Sequence, residues 1–254
     1  MQNNINQIAA LMANSRSTTV VTGAGISTEA GIPDFRGPEG IYRKLGEDKV
    51  MRIINIDTFR QRPELFYEFY REHFKLAEVA PGRAHYVLAE LEARNYIHGV
   101  VTQNIDGLHQ KAGSKNVIPV HGTADRFVCQ KYHCGAVYDA STALSSPELV
   151  PRCEKCGGVL KPDVVLFGES IQNFMDAQDS ILSAQLLIVI GSSLTVYPLA
   201  GFVRAFDSFT QDLVILNKGP TSMDHAARVK IDAPGTTGAV LEQIAALLPE
   251  RGRA

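Results

Sequence analysis

Four cysteines carry the plainest chemistry in this chain. Cys129-x4-Cys134 is followed, after eighteen intervening residues, by Cys153-x2-Cys156, and there is no other cysteine. Zinc takes four thiolates at tetrahedral corners, and a pair two to four residues apart supplies two corners from one turn. Gly135 and Gly157-Gly158 stand just beyond the pairs, where tight turns are needed. Lys131, Arg152 and Lys155 offset the charge that four thiolates leave around a divalent ion. Four sulfur ligands leave no open position, so the expected metal is one structural zinc. The x4 pair is less regular than the x2 pair, and His133 is the alternative ligand to Cys134. Cysteines clustered in one segment, rather than spread as staples, point to a reducing compartment, and the cytoplasm is the expected location.

A second group is Gly23-Ala24-Gly25-Ile26-Ser27-Thr28-Glu29-Ala30-Gly31, directly after the β-branched run Thr18–Thr22. Glycines there let backbone N–H groups approach a pyrophosphate at a helix start. A dehydrogenase fingerprint would put a glycine at Thr28 and an acid about 20 residues on, where this chain has Arg43-Lys44. A dinucleotide fits; hydride transfer does not. An ordinary strand-to-helix turn is the alternative. The third group, Thr102-Gln103-Asn104-Ile105-Asp106-Gly107-Leu108-His109, offers amides and a carboxylate to a ribose or carboxamide. A helix N-cap at Asn104 or Asp106 would explain one of them at most. His121 ends the run Val117–Val120 with Gly122 behind it, and reads equally as a base or as a satisfied structural residue.

These groups need a scaffold that brings them together. Apolar runs at 18–22, 99–102, 117–120, 186–190 and 213–216 each end in polar or glycine residues. Near-continuous apolar strands alternating with helical segments predict an α/β fold, a Rossmann-like parallel sheet with helices on both faces. Ligands then sit beyond the carboxyl ends of the strands, where the polar clusters fall. Residues 4–15 predict an amphipathic helix. Residues 38–80, with Phe59, Leu65, Phe66, Phe69 and Phe74 at helical spacing, and residues 122–162, with the cysteines and a polar loop over 141–151, break the rhythm. The predicted organisation is a large domain of 1–37, 82–121 and 163–254. A small domain is made of a helical module, 38–81, and a zinc-ribbon module, 122–162. At 45% hydrophobic and 20% charged, with net charge −2, the composition excludes disorder and removes the bulk-charge argument for a nucleic-acid or membrane binder. No apolar stretch approaches the ~20 residues that span a bilayer, and the N-terminus does not read as a signal peptide.

Gly23–Gly37 (GAGISTEAGIPDFRG), Thr102–His109 (TQNIDGLH), His121-Gly122, the cysteine quartet, Lys161–Glu169 (KPDVVLFGE) and Gly191–Pro198 (GSSLTVYP) together resemble the sirtuin family, in its compact bacterial or archaeal form. The order and spacing match from about residue 5 to 245. The resemblance implies an NAD-dependent protein lysine deacetylase that yields nicotinamide, free lysine and 2′-O-acetyl-ADP-ribose. It implies that Gly23, Ala24, Gly25, Thr28, Asp34, Phe35 and Arg36 line the first part of the NAD site. Gln103, Asn104, Ile105 and Asp106 follow, Asp106 holding the nicotinamide amide and Asn104 ordering the ribose. His121 is the implied general base. Gly191, Ser192, Ser193, Asn217 and Asp232 would take the adenosine half. Val164, Val165, Phe167 and Gly168, facing Val196, would hold the substrate peptide as an added β-strand in a monomeric enzyme. Cys129, Cys134, Cys153 and Cys156 would hold the zinc.

Sirtuins that prefer succinyl or malonyl lysine resemble one another in a Tyr-x-x-Arg pair. Here the matching segment keeps Tyr67 but has Tyr70 at the arginine position, with Arg71 next to it and facing elsewhere. That implies removal of acetyl groups, with Tyr67 and Tyr70 at the acyl pocket; packing of the small domain's core is the alternative for both tyrosines. An ADP-ribosyltransferase would use the same NAD contacts. A nucleic-acid-binding zinc ribbon would need more than Lys131, Arg152, Lys155 and Lys161 around the cysteines.

Overall fold

The computed structural model describes residues 1–37, 40–74, 79–206, 210–232 and 237–251. Among them nine strands run in chain order as β1 Thr18–Thr22, β2 Gly99–Thr102, β3 Val117–Pro119, β4 Gly122–Cys129, β5 Val137–Asp139, β6 Leu160–Val164, β7 Leu186–Ile190, β8 Asp212–Leu216 and β9 Val229–Ile231. Six form a parallel sheet in the order β3-β2-β1-β7-β8-β9. All five residues of β1 and of β7 are buried. Successive residues go to opposite sides: Val20, Ile188 and Ile190 join one apolar layer, and Val21, Leu187 and Val189 join the other. Helices Gln2–Asn14, Arg83–Ala93 and Thr237–Leu247 contribute to the first layer, and Phe174–Leu182 and Leu199–Arg204 to the second. Burial on both faces is why these strands read as unbroken apolar runs.

The chain leaves β1 first towards β2 and β3, and later places β7, β8 and β9 on the other side. The order therefore reverses between β1 and β7. In open parallel sheets, such a reversal is where ligands bind, beyond the carboxyl ends of the strands.

The remaining strands make an antiparallel sheet, β5-β4-β6. Against it pack the aromatic side chains Phe59, Phe66, Tyr67 and Tyr70, from helices Ile56–Gln61 and Pro63–His73. The division expected at 162/163 runs through β6, because its ladder with β4 extends from the Cys129–Leu160 pair to the Gly122–Val164 pair. Two bonds tie the helical segment to the large sheet's side: the Phe167 N–H donates to the Ile54 carbonyl, and the Ile56 N–H to the Phe167 carbonyl, each at 3.0 Å. The expected polar loop over 141–151 begins inside a short helix, Ala140–Leu144, and Arg71 gathers the carbonyls that follow it.

Candidate active site

Gly23 and Gly25 sit where the loops after β1 and β7 cross. The Gly25 N–H donates to the Gly191 carbonyl at 2.9 Å. A Cβ on Gly25 would stand 2.7 Å from the Gly191 Cα, so the two backbones can approach this closely only without side chains. The segment after them is a 3₁₀ turn, Ala24–Ala30, instead of the α-helix start expected from sequence. The Thr28 hydroxyl donates back to the Gly25 carbonyl at 2.8 Å, and Gly31, left-handed at φ 89°, ends the turn.

The loop after β2 lies against this turn. The Asn104 side-chain N–H₂ donates to the Gly23 carbonyl at 3.2 Å and to the Ser27 hydroxyl at 3.1 Å. The Ser27 hydroxyl donates in turn to Asp106 Oδ2 at 2.7 Å, and the Leu108 N–H donates to Oδ1 at 3.0 Å. Each Asp106 oxygen keeps a second lone pair, and the Asn104 carbonyl oxygen has no role in these bonds. Gln103 links the cluster to β7, because the Ser192 hydroxyl donates to its Oε1 at 3.0 Å. Ile105 is half-buried beside the small core and accepts the Ala124 N–H.

His121 follows β3 and is half-buried. Its Nδ1 lies 3.0 Å from the Gln103 carbonyl. A carbonyl can only accept, so Nδ1 carries the proton and the neutral ring presents a bare Nε2. Burial pushes the imidazole below its usual pKa, against the Gln103 carbonyl, which favours the charged form. A neutral ring held by one nitrogen and open at the other is the geometry of a general base.

The other expected residues gather in smaller sets. Phe35 meets Tyr42 edge-on at 5.3 Å, Arg36 lies over the same ring and pairs with Glu47 at 2.8 Å, and Asp34 accepts the Gly37 N–H. At the outer strands the Asn217 side chain donates to the Lys218 and Gly219 carbonyls, and Asp232 accepts the Gly219 N–H. Ser193 pairs with Thr195, adjoining Val196. Val164, Val165, Phe167 and Gly168 run on from β6. Here the Val165 N–H donates to the His121 carbonyl, and Lys161, buried, bridges the Val164 carbonyl at 2.6 Å and Glu169 at 2.9 Å.

Sequence reasoning left Lys161, Glu169 and Ser27 without roles, although all three lie inside the quoted motifs. It left Tyr67 and Tyr70 between two readings, the acyl pocket and core packing. Tyr67 is fully buried with its hydroxyl donated to the Leu160 carbonyl at 2.5 Å, and Tyr70 stacks on Phe74 and meets Phe127 edge-on. Burial raises both phenols, so both are neutral.

The four cysteine sulfurs lie within 4.8 Å of one another, with Cys129–Cys156 at 3.5 Å and Cys134–Cys153 at 3.7 Å. Tetrahedral zinc with sulfur at ~2.3 Å sets ligand sulfurs about 3.8 Å apart, so the quartet fits the ion. His133, exposed and left-handed at φ 63°, takes up the extra residue of the x4 pair and is not part of the group.

For the dinucleotide, the fit is chemical: hydroxyl, amide and carboxylate groups gather beyond the carboxyl ends of the strands where the strand order reverses.

Comparison with known proteins agrees with this geometry. The Sir2 family pattern matches residues 23–198. The NAD-dependent protein deacetylase of Saccharolobus solfataricus is 44% identical over 232 residues, covering 90% of this chain and 91% of its own. That of Clostridium acetobutylicum is 40% identical over 244 residues, covering 94% and 97%. Among solved structures, a Sir2 variant holding a deacetylated peptide and 3′-O-acetyl-ADP-ribose superposes with a TM-score of 0.89 at 37% identity, covering 96% of this chain and 99% of its own. Sir2 bound to an acetylated peptide matches with a TM-score of 0.79 at 36% identity, covering 96% of each chain. The chain belongs to the Sir2 family.

Proposed function

We propose that this chain removes acetyl groups from protein lysines, consuming NAD and releasing nicotinamide and 2′-O-acetyl-ADP-ribose. The observation that carries it is His121, its Nδ1 held by the Gln103 carbonyl and its Nε2 bare, beside the Asn104–Ser27–Asp106 cluster. Bound NAD supplies an electrophilic C1′ on its nicotinamide ribose, which even a weakly nucleophilic acyl oxygen can attack. Asp106 accepts from the nicotinamide amide with its remaining lone pairs, and Asn104 orients the ribose through its carbonyl oxygen. His121 Nε2 takes a proton from a ribose hydroxyl, so that this oxygen can attack the acyl carbon. Phe35 and Arg36 close over the cofactor, Ser192, Ser193, Asn217 and Asp232 hold its adenosine half, and the 23–31 loop carries the diphosphate. Val164, Val165, Phe167 and Gly168 on one side and Val196 on the other take the substrate backbone as an added strand. The small domain is the helical module plus the zinc module, and its zinc is structural. The quartet of thiols suits a reducing compartment, and we place a monomeric enzyme in the cytoplasm.

Acetyl is the preferred acyl group. A succinyl carboxylate wants a fixed cation, and Tyr70 offers none. Arg71 is committed to the carbonyls of Leu144, Ser146, Glu148 and Leu149. Lacking that charged contact costs about 1.5–3 kcal/mol, roughly 10- to 150-fold in kcat/KM. The test is to incubate the chain with NAD and peptides bearing acetyl- or succinyl-lysine, and to follow nicotinamide release and peptide mass. One deacetylated peptide per nicotinamide is expected, with acetyl favoured. A peptide that keeps its acetyl group and gains ADP-ribose would overturn the reaction assigned, and faster desuccinylation would overturn the acyl preference.

A further inference from the structure

Beneath the site lie two histidines that the reaction does not use. His85, on helix Arg83–Ala93, and His109, on helix Leu108–Ala112, are 0% and 1% exposed. Their rings meet edge to face with centroids 4.9 Å apart. Each has one nitrogen bonded and one without a hydrogen-bond partner among the described residues: Nε2 of His85 and Nδ1 of His109.

The bonded nitrogens fix both tautomers. The Gly82 N–H donates to His85 Nδ1 at 3.2 Å, so Nδ1 is bare and Nε2 carries the proton. The Thr22 hydroxyl has a single hydrogen, and it goes to the Thr102 hydroxyl at 2.8 Å. His109 Nε2, 2.9 Å from the same Thr22 oxygen, must therefore be the donor, which leaves its Nδ1 bare. The two unpartnered atoms are thus one donor and one acceptor, on adjacent buried rings. Buried polar groups without partners are costly, and one water between a donor and an acceptor on adjacent rings would satisfy both.

The far end of that series of bonds is catalytic. Thr22 and Thr102 are register partners in β1 and β2, and the Thr102 hydroxyl accepts the backbone N–H of Asn104 at 3.0 Å. The helix carrying His109 starts at Leu108, whose N–H holds Asp106.

We propose that His85 and His109 are positioning residues, linked from Nε2–H to Nδ1 through one bridging water. Together they form a hydrogen-bond relay from the Gly82 backbone through Thr22 and Thr102 to Asn104, which sets Asn104 against the ribose. The inference rests on the deacetylase reading for its kinetic consequence, though not for its geometry. Burial lowers both imidazoles, His109 to about 3 with His85 adding to the effect, while the carboxylates of Asp106 and Glu29 oppose the shift at His85. Both rings stay neutral at working pH, so the relay is a fixed brace and not a switch.

The test compares His109→Gln, whose amide can donate to Thr22 from near the Nε2 position, with His109→Phe, which keeps ring volume and donates nothing. The phenylalanine variant should lose roughly 10- to 100-fold in kcat with KM for NAD within about threefold, as small misplacements of reacting groups do. The glutamine variant should keep kcat within about threefold of wild type. In the wild-type chain, ¹⁵N NMR at pH 8 should find both histidines as Nε2–H tautomers, and His109 should not titrate between pH 5 and 8. The backbone amide resonance of Asn104 should move in the phenylalanine variant and hold in the glutamine one. Equal kinetic losses in the two variants would reduce the pair to packing. An Nδ1–H tautomer on either ring, or an unmoved Asn104 resonance, would overturn the relay even if the wild-type chain released no nicotinamide. That last result would overturn the deacetylase reading alone. Should the phenylalanine variant fail to fold, the wild-type tautomers still decide.

Discussion

His121 has one nitrogen committed and one open, and its pKa sits below the usual histidine value because burial penalises the imidazolium. The base form is the neutral ring. A lowered pKa keeps that form populated at pH 6.5, and it is lost only as pH falls through the lowered value. The acid limb of kcat/KM should therefore lie below pH 6.5, and a half-maximal point above pH 7 would rule out His121 as the titrating base. Removing the imidazole in His121→Ala should lower kcat by about 10²–10⁴, the usual worth of a general base, with NAD affinity nearly intact. A variant retaining more than half of wild-type turnover would refute the role. In the proposed mechanism the neighbouring amide and carboxylate act by orientation, so their removal should not shift the pH limb.

Strand β4 runs from Gly122, directly after that histidine, to Cys129, the first of the four clustered thiols. Its two ends join the proposed base to the proposed zinc site through one element, so loss of the metal should reach His121 mechanically. The cysteines sit on tight turns: the Cys153 N–H donates to the Gly158 carbonyl, and the Gly157 N–H to the Cys153 carbonyl, each at 2.8 Å. A Cβ on Gly158 would lie 2.9 Å from the Cys129 sulfur, so only glycine leaves the sulfurs room. The Tyr138 hydroxyl, 3.3 Å from the Cys153 sulfur, orients that ligand. Elemental analysis should return one zinc per chain. Binding of this kind contributes roughly 10 kcal/mol or more to folding. Chelation should accordingly melt the β5-β4-β6 module and abolish activity while the six-stranded sheet persists. A chain that carries no zinc, or a chelated one that keeps its activity, would refute a structural metal.

At the scale of the whole molecule, the two buried histidines tie stability to pH. Folding depresses their pKa values, so their contribution is complete above the unfolded value near 6.5 and is lost as pH falls towards the folded value, about 3 for His109. In that window each such group costs about 1.4 kcal/mol per pH unit. Between pH 7 and pH 5, His109 alone should remove about 2 kcal/mol, a large share of the 5–15 kcal/mol typical of a folded domain. Urea unfolding at the two pH values measures the loss, and His109→Gln should recover that part. An unchanged loss in the variant would assign the acid sensitivity elsewhere. No helix among the described residues is long and apolar enough to cross a membrane.

What could be read from sequence was local. β1, β2, β7 and β8 are runs of apolar residues buried on both faces, and that pattern survives without knowing the partner strands. The cysteine spacing and the polar strand ends were equally plain, because each lies within a few residues of chain. β9 was not legible: three residues with a half-buried lysine at the centre leave no periodicity to see. The 3₁₀ turn after β1 was not legible either, since its shape is imposed by the Gly25–Gly191 crossing, between loops far apart in the chain. Tyr67 and Tyr70 stood at a motif position, yet which way the helix faces was decided by its packing on β4 and β6. Ser27 meets Asp106 across 79 positions, and Thr22 meets His109 across 87. Bonds of that span depend on parallel register and on helix placement. Sequence could therefore determine which residue types reach the site, while only the tertiary structure decided which atoms bond there, because hydrogen bonds require ångström-scale proximity that local patterning does not encode.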